Sequence, residues 1–76
     1  MAIYDKVINE VGHFLPPGED VTRFISRQCK SHLNVEPEAV TTANLPELAR
    51  WIGISASLLI PQEKATELRQ KIESIV

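Results

Sequence analysis

The sequence predicts an all-α fold, a compact four-helix bundle with the third helix central, made by residues 1–76 as a single helical domain. Three observations carry this expectation. Apolar residues recur at intervals of three and four, the spacing that lines one face of a helix. Three glycines and five prolines are dispersed as punctuation and divide the chain into four such segments. No stretch alternates apolar and polar residues with the period of two that a half-buried strand needs.

The first helix is predicted over residues 2–15. Tyr4, Ile8, Val11 and Leu15 follow one another at spacings of 4, 3 and 4, with Ile3, Val7 and Phe14 beside them. "PPGED" at residues 16–20 stops it, because proline lacks the backbone donor and glycine frees the chain to turn. Asp20 is placed to cap a second helix over residues 21–33, with Val21, Phe24, Ile25, Cys29 and Leu33 on its apolar side. Asn34 suits a left-handed C-cap. "VEPEAVTTAN" is a connection containing one helical turn begun by Pro37. Asn44 and Glu47 have the spacing of a capping box for a third helix over residues 45–60, and Pro46 is tolerated in a first turn.

The third helix is apolar on two stripes, Leu45, Leu48, Ile52, Ala56 and Leu59 on one, Trp51, Ile54 and Leu58 on the other. Pro61 ends it. The fourth helix, over residues 61–76, has a single narrow stripe of Ala65, Leu68, Ile72 and Ile75. Glu67 and Lys71 on its polar side have the favourable order for an i,i+4 ion pair.

Composition excludes several functions. Eight basic residues against ten acidic ones give a net charge of −2, which argues against a general affinity for nucleic acid or anionic membrane. The best apolar run falls far short of the ~20 residues of a membrane span. Cys29 is the only cysteine, so no internal disulfide is possible. "MAIYDKVINE" carries Asp5 and Glu10 where a signal peptide would be apolar, and the expected location is a reducing cytoplasm. A chain this short buries only about 60% of its unfolded surface, so a protein partner or a second copy is expected to add to its stability.

Few residues are arranged for chemistry. Cys29 and His32, three apart, have the spacing that begins a zinc site, but a complete structural site needs four ligands and only His13 remains. The same pair lacks any sign of an oxyanion hole for thiol catalysis. His13 lies near a helix end between Val11 and Phe14, where the helix dipole favours it. There is no glycine-rich phosphate loop and no cofactor motif, so the expectation is no cofactor, no metal and no enzymatic activity.

Two features point to binding. Arg23, Arg27 and Lys30 share one face of the second helix, a stripe able to grip an acidic partner. Trp51, Ile54 and Leu58 give the third helix a second apolar face beyond the one a bundle needs, and tryptophan is a common interface anchor. The expected function is therefore a small, non-enzymatic, self-associating protein–protein interaction module, with Trp51, Ile54 and Leu58 as its interface and Arg23, Arg27 and Lys30 as a polar rim.

An alternative rests on a resemblance. "LARWIGISASLLI", residues 48–60, resembles a helix-turn-helix: Leu48 and Ala49, then Gly53 four residues after the alanine, then Ile54 and Ser55. The resemblance implies a DNA-binding regulator in which Ala49 lets two helices approach and Gly53 makes the turn. Its recognition helix would present Ser55, Ala56, Ser57, Leu58 and Leu59, whereas base reading uses Arg, Lys, Asn or Gln.

Overall fold

The computed structural model describes residues 3–75, and four α-helices form in the predicted order. α1 spans Ile3–Gly12, α2 Val21–Gln28, α3 Leu45–Ala56 and α4 Gln62–Glu73. No strand occurs among the described residues. The expected helix start at Ala2 and helix end at Val76 lie outside them.

α1 is shorter than its apolar pattern. The N–H groups of His13 and Phe14 bond back three residues, to the carbonyls of Glu10 and Val11, and tighten the last turn. Its buried face is Val7, Val11 and, just beyond the helix, Leu15, while Tyr4 and Ile8 pack at the margin. The chain then turns through Gly18, whose φ of 95° is left-handed and suits a residue without Cβ. Asp20 caps α2 as expected, its carboxylate accepting from the Arg23 backbone N–H at 3.1 Å.

α2 does not stop at Gln28. It widens into one π-helical turn, Cys29–Leu33, and ends where Asn34 takes a left-handed φ of 56° with its N–H on the Cys29 carbonyl. Pro37–Ala39 and Thr42–Asn44 then form two 3₁₀ turns, the first seating Pro37 in the interior. The expected Asn44–Glu47 capping box is replaced by a pairing one turn earlier. The Asn44 side-chain oxygen accepts from the Thr41 backbone N–H at 2.9 Å and from its hydroxyl at 3.2 Å, which leaves Glu47 to other work.

α3 buries Leu45, Leu48, Ile52 and Ala56, four of the five residues of the first predicted stripe, together with Ala49. It ends at Ala56 rather than residue 60, because Pro61 has no N–H to donate and disfavours helical backbone at the residue before it. Leu59, counted with the buried stripe in the sequence, is consequently left 40% exposed. α4 buries Ala65, Leu68 and Ile72, with Ile75 half-buried. Its ion pairs are Lys64 with Glu67 at 3.6 Å and Arg69 with Glu73 at 3.4 Å, in place of the expected Glu67–Lys71 pair. Such exposed pairs contribute little, about 0–1 kcal/mol.

α3 packs on both α2 and α4, and its pairing with α4 is the most extensive in the fold. The closeness comes from Gly53. A Cβ built there would stand 3.3 Å from the Arg69 Cβ and 3.7 Å from the Ala65 carbonyl oxygen. Among the described residues, no helix is long and apolar enough to cross a membrane.

Candidate interaction surface

With α2 along one flank and α4 along the other, the outward side of α3 is left open. The large hydrophobic side chains exposed there are Ile54 (49%) and Leu58 (86%), followed by Leu59. Ile54 on α3 and Leu58 in the turn just beyond its end make a ridge. A shallow depression lies on each side of it. The one toward α4 is lined by Arg50, Gly53, Ile54, Ser57, Thr66 and Arg69, among others. The one toward α2 is lined by Phe24, Arg27, Gln28, His32, Leu58 and Leu59, among others, with Glu19 at its margin. The second depression has a polar tie beneath it: the Ser55 hydroxyl donates to the Gln28 Oε1 at 3.0 Å, which satisfies a buried amide oxygen.

Trp51 marks the other end of the ridge, and it is half-buried rather than open. The His32 ring, delivered by the π-helical turn after α2, lies flat on it, with centroids 3.8 Å apart and planes inclined by 5°. The Trp51 Nε1–H donates to Glu47 Oε1 at 3.2 Å, and the Arg50 guanidinium stands 5.7 Å from the ring centroid. Of the three expected interface residues, Ile54 and Leu58 are therefore free to meet a partner, while Trp51 is largely occupied within the chain.

Arg23, Arg27 and Lys30 are all exposed. Lys30 pairs with Glu36 at 3.8 Å. Arg23 and Arg27 make no ion pair among the described residues, and both border a hollow beside Phe24. Sequence reasoning missed Phe24, Leu59, Arg50 and Arg69 as members of this surface. Arg50 was legible, since it precedes Ile54 by four and Leu58 by eight. Arg69 required knowing how α4 lies on α3.

The other sequence candidates come apart. Cys29 is fully buried in the core whereas His32 is outside on Trp51, so the pair is not assembled as a metal site or a catalytic dyad. His13 is exposed beyond the end of α1. Among the described residues no group of three or more His, Cys, Asp or Glu side chains is placed to hold a metal. The turn that a helix-turn-helix over residues 48–60 needs at Gly53 is not formed, because α3 runs unbroken through it and the glycine serves close packing against α4 instead.

Burial pushes the Cys29 thiol above its ordinary pKa of 9.0. The folded chain thus keeps a proton that the unfolded chain releases above pH 9.0, and stability falls as pH rises through that value. In denaturant titrations at pH 8 and pH 10, wild type is expected to lose more stability between the two than Cys29→Ala does. An equal loss in both would show that the thiol titrates alike in the two states.

Comparison with protein-family models, with curated proteins and with solved structures finds no match to this chain.

Proposed function

We propose that this chain is a small non-enzymatic module that acts by protein–protein contact, with the Ile54–Leu58–Leu59 ridge as its binding face. One observation carries the reading: beside the buried stripe of α3, Ile54 and, just past the helix end, Leu58 and Leu59 stay in water, with Leu58 86% exposed. Burying one such leucine in a partner is worth about 1.5–3 kcal/mol, and nothing within the chain gains from leaving it out. The flanking depressions provide the walls against which a partner's side chains pack, and the arginines supply the polar rim typical of interfaces. Self-association, the expectation from the sequence, is one form this contact can take.

A photo-reactive residue substituted at position 58 tests the face in cells that make the protein. A discrete adduct is expected from position 58 and not from exposed Gln70 on α4, and it should vanish when Ile54→Asp is added. The adduct mass separates a second copy from a different protein. No adduct, or the same adducts from both positions, would sink the reading. Leu58→Ser is expected to leave stability within about 0.5 kcal/mol of wild type, because its side chain makes so little contact. The same variant should weaken the captured complex at least tenfold.

A further inference from the structure

Resting on that reading, we infer that the occupant of the ridge is an acidic amphipathic segment of another protein, not a second copy of this chain. The chain has four arginines and four lysines. All four arginines stand on the helices around the ridge: Arg50 and Arg69 beside Ile54, Arg27 beside Leu58, and Arg23 with Arg27 around Phe24. No lysine lines either depression. Arginine offers a flat, weakly hydrated fork that binds carboxylates in pairs, which suits it to interfaces better than lysine. Of the acidic side chains, only Glu19 lines either depression; Glu73 pairs with Arg69, which leaves Arg27 and Arg50 as the lining cations without an ion pair among the described residues.

The layout sets the partner's form. Arg50 and Ile54 lie one turn apart on α3, and Leu58 follows in the turn just beyond its end. Arg50 and Arg69 border the ridge on its α4 side and Arg27 on its α2 side, with aliphatic side chains between. A two- to three-turn helix with apolar residues at i, i+3 and i+4 and Asp or Glu on both borders is complementary to that order. A second copy is not. A two-fold pairing presents the same patch to itself, and here it would bring guanidinium groups together. Duplex or single-stranded nucleic acid would use the cations but leave the aliphatic ridge idle, and the indole that could stack a base is covered by His32.

Selection of random 16-residue peptides displayed on phage against the folded chain tests this. The expected pool is rich in Asp and Glu around apolar residues at helical spacing. A peptide from it should bind Arg27→Glu/Arg69→Glu at least tenfold more weakly, and recover when its own acids are changed to lysine. Peptides that need Leu58 but show no acidic bias would overturn the charge argument and leave the binding face standing. Enrichment that ignores Leu58→Ser, or no enrichment, would overturn both. Sedimentation of the free chain showing a dimer that Leu58→Ser dissolves would make a second copy the occupant. Tighter Leu58-dependent binding to phosphatidylserine vesicles or to a DNA duplex than to any peptide would likewise overturn it.

Discussion

Ile52→Ala is expected to lower the melting temperature by about 10–30 °C. Ile52 is completely buried within the hydrophobic core. Removing its outer carbons costs the transfer energy of the lost surface and leaves a cavity, together about 2–5 kcal/mol. A chain of 76 residues has only about 4–11 kcal/mol of stability to lose. Ile54→Ala is the matched control, the same chemistry two residues on at a site that is 49% exposed, and it should cost under about 1.5 kcal/mol. Thermal melts of the two variants followed by circular dichroism would decide the point. Equal losses would mean that α3 is rotated from the orientation described.

Gly53→Leu carries the second large effect, and it is best read beside Gly53→Ala. In a helix interior, alanine is favoured over glycine by about 0.8–1 kcal/mol. Against that gain, the new methyl would lie 3.3 Å from the Arg69 Cβ, so Arg69 must yield by a few tenths of an ångström. The two terms nearly cancel, and Gly53→Ala is expected within about 1 kcal/mol of wild type. A leucine cannot be absorbed that way. It must push α4 outward, at about 1–3 kcal/mol, or roughly 5–20 °C in melting temperature. The gap between the two variants measures the closeness of α3 and α4. A leucine tolerated as well as alanine would show that the helices do not approach as described.

The helical faces and most of the breaks were legible in the sequence because they depend on local chemistry. Asp20 caps α2 and Asn34 ends its extension with the side-chain and backbone preferences expected of those residues. What escaped depends on competition between partners. Glu47 satisfies the Trp51 indole N–H instead of the Asn44 backbone, and Asn44 turns back to Thr41. Glu67 pairs with Lys64 rather than Lys71. No periodicity announces the π-helical turn at Cys29–Leu33, yet that turn sets His32 on Trp51 and covers one apparent anchor, while Cys29 keeps the buried place that its spacing from Ile25 indicates. The ridge was half legible: a second apolar stripe on α3 was plain, but which part stays open depends on what α2 lays across it.

Pro61 has a consequence beyond ending α3. Two exposed leucines followed by Ile60 make an aliphatic run of the kind that stacks into extended, intermolecular β-structure when a chain is concentrated. Proline directly after the run withholds the ladder hydrogen bond such stacking requires, so it acts as a gatekeeper. The residue that ends α3 short of the leucines thus also closes the aliphatic run against extended pairing.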